Sequence, residues 1–248
     1  MEYGEGKHRY ALLDSWARLP MGWAFGDVCG IAVDDSNNDV YVLSRGSHAV
    51  MVFNRDGNLI RSWGDGLFKR AHGCSVTRNG QVWCTDDSDH FAAKFERDGT
   101  LITMLGQKGM ASDTGYRQTR DLWESLATIC RAGPPFNRPT GVALDREGDV
   151  YITDGYGNSR VHHFSRSGEL IKSWGTPGGR PGQFRLPHDI AIDDSGRLYV
   201  ADRENHRIQV LSSDGEPIEL LENVIRPTGV CIDQHGDIYV CELARRIS

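Results

Sequence analysis

Apolar and polar positions alternate in short runs along this chain, and the runs recur. Five segments share one pattern: "GIAVDDSNNDVYVLSRG" from Gly30, "GCSVTRNGQVWCTDD" from Gly73, "GVALDREGDVYITDG" from Gly141, "DIAIDDSGRLYVADR" from Asp189 and "GVCIDQHGDIYVCEL" from Gly229. Each reads as an apolar strand of period two, a turn rich in Asp and Gly, and a second strand such as "VYV" or "LYV". In the first four, a third strand follows ("AVMVF", "AAKFE", "RVHHF", "RIQVL"). A DG or SG turn then leads to a fourth ("LIRSWG", "LITMLG", "LIKSWG", "PIELL").

The repeats start 43, 68, 48 and 40 residues apart. Four antiparallel strands every forty-odd residues predict the blades of an all-β propeller, whereas a plain β-sandwich does not repeat one motif in this way. Blades are expected near 29–64, 72–106, 139–175 and 188–221, with a partial fifth at 228–248, in a single domain spanning 1–248. The longest interval holds an insertion at 107–137, in which "DLWESLATICRAG" predicts a short helix before a Gly/Pro stop. The fifth repeat stops after its second strand, so the chain reads as a fragment, or as a variant that has lost its end. Its open sheet edge is expected to invite self-association. The segment "YALLDSWARL" is expected to supply the outer strand of a last blade.

Strand order also says which side chains meet. In an antiparallel pair the start of the first strand and the end of the second share one edge, and in a propeller the first strand lines the axis. The residues just before each repeat start are Cys29, His72, Thr140, His188 and Thr228, and those fourteen or fifteen after it include Arg45, Tyr156 and Arg203. Two histidines, two arginines and a tyrosine are therefore expected around one axial mouth. Neutral imidazoles there suit a metal, and guanidiniums suit an anion. A buried thiol is the default reading of Cys29. Asp86, Asp154, Asp202 and Glu242 recur at the end of the second strand, which predicts structural carboxylates that accept turn N–H bonds. No Gly-x-Ser-x-Gly elbow, HExxH or P-loop is present to offer a rival chemistry.

Composition narrows the partners. A net charge of −6 leaves no footprint for nucleic acid or an anionic membrane surface, and no apolar run nears the roughly 20 residues of a bilayer span. The six cysteines form no CxxC pair, and the N-terminus lacks a signal-peptide pattern. Reduced thiols in a cytoplasmic protein are therefore expected, or an exported protein if a leader has been lost.

The segments "NRPTGVALDREGDVYITDGYGNSRVHHFS", "SWGTPGGRPGQFRLPHDIAIDDSGRLYVADRENHRIQV" and "RAHGCSV" resemble the peptidyl-α-hydroxyglycine α-amidating lyases and their bacterial relatives, from about Trp16 to Glu242. That resemblance implies a six-bladed NHL-type propeller with a catalytic zinc held by three histidines from alternate blades. His72 and His188 match two of them, and the third belongs to a blade beyond these repeats. It further implies that Tyr156 is the catalytic base and that Arg45 and Arg203 bind the substrate carboxylate. A structural calcium is implied on the backbone carbonyls of Ile31 and Cys74. The implied reaction cleaves the C–N bond of a small-molecule or peptide C-terminal α-hydroxyglycine to an amide and glyoxylate. The alternatives are a non-catalytic propeller scaffold and an inactive fragment of the lyase family.

Overall fold

The computed structural model describes residues 2–243. Four four-stranded antiparallel sheets follow one another along the chain, each with its strands in sequential order. The first holds β3 (Val28–Asp34), β4 (Asp39–Ser44), β5 (Val50–Phe53) and β6 (Leu59–Trp63). The second holds β7 (Ala71–Val76), β8 (Val82–Asp86), β9 (Phe91–Phe95) and β10 (Leu101–Gly106). The third holds β11 (Pro139–Leu144), β12 (Val150–Asp154), β13 (Arg160–Phe164) and β14 (Leu170–Trp174). The fourth holds β15 (Pro187–Ile192), β16 (Leu198–Asp202), β17 (Arg207–Leu211) and β18 (Pro217–Leu221). A two-stranded fifth sheet, β19 (Pro227–Ile232) and β20 (Ile238–Glu242), completes the series. Residues 244–248, the end of the expected partial blade, lie outside the described residues.

The recurring Asp and Gly build the turn between the first two strands. Asp145 Oδ1 accepts the N–H groups of Glu147 and Asp149, and Asp193 and Asp233 repeat the pattern. Gly148, Gly196 and Gly236 take the left-handed conformation this turn requires, with φ near 80–90°. The expected structural carboxylates behave as such. Asp202, for example, is fully buried and accepts from the Arg185 N–H and from the Asn205, Arg207 and Gln209 side chains.

Consecutive first strands are in contact, and the apolar faces of neighbouring sheets interlock pairwise. Leu43, Val52 and Trp63 of the first blade pack with Phe91 and Phe95 of the second. Trp83 and Leu105 join Val142, Ile152 and Phe164 between the second and third. Tyr151 and Val161 meet Ile190 and Val200 between the third and fourth. The "SWG" and "DG" motifs lock this stacking. The fourth-strand Trp63 lies where a Cβ on Gly99 of the next blade would sit, at 2.7 Å, and Trp174 stands likewise against Gly215, at 2.5 Å. Only glycine leaves room for the indole.

This lock bears on the N-terminal segment. A hairpin of β1 (Glu2–Glu5) and β2 (His8–Ala11) pairs only with itself, so "YALLDSWARL" forms no outer strand of a blade, contrary to expectation. Its Trp16 nevertheless sits on Gly57 as Trp63 sits on Gly99, and residues 16–23 cover Val42, Met51 and Phe53 of the first blade. The hairpin touches the fifth sheet, with Tyr10 Oη 2.9 Å from Tyr239 Oη. The sheets do not close into a ring. Val28, Ile31 and Val33 on the first inner strand stay exposed, as does Ile238 in the fifth sheet.

Candidate active site at the axial mouth

Each first strand begins with a register shift against the second. The shift falls between Ala71 and Cys74, Pro139 and Val142, and Pro187 and Asp189, with equivalents in the first and fifth sheets. Such bulges re-aim side chains at a strand end. His72 and His188 both occupy the bulge, and their rings meet edge to face with centroids 4.7 Å apart. At the same register Thr140 is absorbed by the backbone, donating to the Thr153 and Pro187 carbonyls. His72 is buried, and neither of its ring nitrogens has a hydrogen-bond partner among the described residues.

Tyr156 follows the end of the second strand of the third blade. Its Oη lies 3.2 Å from His188 Nε2, and Arg203 donates to it from Nη1 at 3.3 Å. His188 Nδ1 is 2.8 Å from the Thr228 carbonyl, an acceptor only, so Nδ1 carries the proton and Nε2 presents its lone pair. Burial, with the nearby Arg203 charge, pushes the His188 imidazole down to about 3. Burial also holds His72 well below the usual histidine range, followed by His188 and by Arg45, Arg70 and Arg203. Both rings are neutral at physiological pH. Two neutral imidazoles, one of them anchored through its second nitrogen, fit the donor set of a divalent metal. No third His, Cys, Asp or Glu donor joins them among the described residues, and Cys29 donates instead to the Leu43 carbonyl.

The structure thus gathers four of the mouth residues expected from sequence, His72, His188, Tyr156 and Arg203, into direct contact or near contact. Arg45, the fifth, is held by a bond from Nε to the Ala71 carbonyl, beside His72 in the chain. Ile31 and Cys74 fall on the adjacent inner strands β3 and β7, and they bring no side-chain ligand to the mouth.

Several residues were missed. The guanidinium carbons of Arg70 and Arg138 lie 5.5 and 5.4 Å from the centre of the Tyr156 ring, level with Arg203 at 5.5 Å. Both pair with the fully buried Asp87. Arg138 also donates to Tyr116 of the insertion, at 2.8 Å. Arg203 and Arg226 share the buried Glu204 in the same manner. The signal was available one register further out: three residues before the repeat starts stand Arg70, Arg138 and Arg226. Arg138 and Arg226 take left-handed backbone conformations ahead of prolines, a strained geometry that throws them toward the axis side of the sheet edge.

The insertion forms a wall of this site. Its helix α1 (Leu122–Ala127) is capped by Asp121, which accepts from the Glu124 N–H at 3.0 Å. Leu126 and Ile129 pack with Leu186, Tyr116 and Tyr156. Between this helix and the third and fourth blades lies a cavity of about 350 Å³ lined by Leu126, Ile129, Phe184 and Leu186. A larger cavity, about 880 Å³, opens at the opposite end among the Asp/Gly turns. Asp145 and His163 line it, and their donor atoms and that of Asp149 lie within 4.8 Å of one another. Those groups are already engaged: the two carboxylates accept turn N–H bonds, and His163 bonds to Asp149 and stacks on Tyr151.

The fold and the repeats define the class. NHL repeats match at residues 136–164 and 184–211. The chain carries NHL repeats on a β-propeller fold and is similar in sequence to the peptidyl-α-hydroxyglycine amidating lyases and to NHL repeat-containing protein 3. It is 31% identical to a probable peptidyl-α-hydroxyglycine α-amidating lyase of Caenorhabditis elegans, over 82% of this chain and 52% of that one. It is likewise 31% identical to human NHL repeat-containing protein 3, over 79% of this chain and 57% of that one. Against peptidyl-glycine α-amidating monooxygenase B of Xenopus laevis the identity is 32%, over 74% of this chain and 22% of that one. The chain thus spans between a fifth and three-fifths of these relatives. Among solved structures, a chain of a nidogen/laminin complex superposes with a TM-score of 0.66 at 17% identity, over 87% of this chain and 72% of that one. A streptogramin B lyase gives 0.58 at 13%, over 91% and 72%. Both show the propeller fold.

Proposed function

We propose that this chain is a metal-dependent carbon–nitrogen lyase of the amidating-lyase type, acting on a small or peptide C-terminal α-hydroxyglycine. The observation that carries this reading is the meeting of Tyr156 Oη with His188 Nε2 and Arg203 beside the His72 ring. His72 and His188 would hold zinc, which when bound acidifies the substrate hydroxyl as a Lewis acid. The protein's own contribution is positional. Arg203 and Arg45 orient the substrate carboxylate by charge-assisted hydrogen bonds. Tyr156 acts as the general base that takes the hydroxyl proton. The C–O bond becomes a carbonyl as the C–N bond breaks, and the electron pair leaves on the amide nitrogen. That nitrogen receives a proton, releasing an amide and glyoxylate.

The resemblance also suggests a calcium held by the Ile31 and Cys74 carbonyls. The test of function is glyoxylate release from an N-acyl-α-hydroxyglycine by the zinc-loaded full chain. Zinc-dependent release is expected. A rate no higher than that of substrate alone, with metal bound, would leave a non-catalytic binding propeller.

A further inference from the structure

The charge census of the mouth does not balance. Of five guanidiniums there, those of Arg70, Arg138, Arg203 and Arg226 share two carboxylates, Asp87 and Glu204. Arg45 has no carboxylate partner among the described residues, and its terminal amino groups make no protein hydrogen bond there. These arginines outnumber the carboxylates they pair with by three, and Arg70, Arg138 and Arg203 gather about one aromatic ring. A bound divalent metal would enlarge the positive excess. Asp87 and Glu204 are fully shielded, so they fix the guanidiniums in place without presenting an anion to a ligand.

We propose that this mouth is built for a ligand with two acidic groups, the second held by Arg70 and Arg138, the pair that Asp87 fixes. The inference rests on the lyase reading only for which carboxylate is the first, the one next to Arg45 and Arg203. A single carboxylate leaves most of the excess charge unmet. The arginines also form two sets held by different buried carboxylates, Arg70 and Arg138 by Asp87 and Arg203 by Glu204, and a diacid offers one acidic group to each. The favoured substrate is therefore an α-hydroxyglycine whose acyl part bears a further carboxylate, or an acid of that shape.

The test uses the full chain and two five-carbon acids, valerate and glutarate, titrated calorimetrically at low ionic strength. Glutarate is expected to bind at least ten-fold more tightly. The margin should narrow as salt is raised past the point where the Debye length falls below about 8 Å. Arg70→Gln, at the more exposed of the two Asp87-paired arginines, should bring glutarate within about three-fold of valerate, as should Arg138→Gln. Equal binding of the two acids by the unmodified chain, or a preference unchanged in a folded Arg70→Gln variant, overturns the proposal. The preference is read without turnover. A diacid preference in a chain that releases no glyoxylate therefore sinks the lyase reading alone, and glyoxylate release without that preference sinks this inference alone.

Discussion

Tyr156 Oη stands 3.2 Å from His188 Nε2 although thirty-two residues separate the two in sequence. The chain brings them together because one closes the second strand of the third blade and the other opens the first strand of the fourth. Arg203 then caps the pair from the end of the next strand.

This contact makes Tyr156 the most exposed part of the proposed chemistry to a single-atom test. Tyr156→Phe removes the hydroxyl but keeps the ring that Leu126, Ile129 and the guanidiniums pack against. Glyoxylate release is expected to fall at least 10²-fold, the lower range for losing a positioned base, with metal content unchanged. A residual rate within about five-fold of the parent would remove Tyr156 from the role of base.

The cysteines offer a test in pH. Burial pushes the Cys29 thiol up to about 11 and drives Cys74 and Cys84 higher still, while Cys130 and Cys241 are exposed. A raised thiol pKa means less thiolate at a given pH. At pH 8 Cys29 is about one part in a thousand ionised, against about a quarter for a free thiol. Iodoacetamide at pH 8 should therefore label Cys130 and Cys241 and spare the three buried thiols. Cys29 should begin to react only as the pH approaches 11 or the chain unfolds. Mass spectrometry reads the pattern, and fast labelling of Cys74 or Cys84 at pH 8 in the folded chain would contradict the packing.

Much of the fold was legible, for a physical reason. The third, fourth and fifth blades repeat one Asp–Gly turn, and Trp63 and Trp174 repeat one lock on a glycine of the next blade, so the pattern at 30, 73, 141, 189 and 229 follows the packing unit. The mouth was half legible. His72, His188, Tyr156 and Arg203 followed from strand ends sharing an edge, since β-pairing fixes which ends meet. Arg70 and Arg138 were not found, because they sit outside the strands and are held by a buried Asp87, Arg138 from a left-handed backbone position. Strand periodicity says nothing about either. The N-terminal segment misled for a related reason. Its "SWA" imitates the fourth-strand motif and Trp16 fills the matching glycine notch, but no ladder partners were present to make it a strand.

Asp202 tests the structural carboxylates. Asp202→Ala leaves the nearly buried Arg207 guanidinium without its acid and strips acceptors from Gln209 and the Arg185 N–H. Breaking such a buried pair costs about 3–5 kcal/mol. Denaturant unfolding should show a loss of that size at constant m-value. A loss below about 1 kcal/mol would mean that the blade does not depend on this carboxylate.

The central claim is that His72 and His188 grip one divalent ion. Equilibrium dialysis of the full chain against micromolar zinc, followed by elemental analysis, measures it most directly. One ion per chain is expected, lost in His72→Ala and in His188→Ala but kept in His163→Ala at the opposite end. An unchanged zinc content in both mouth variants, or a loss confined to His163→Ala, would contradict the account.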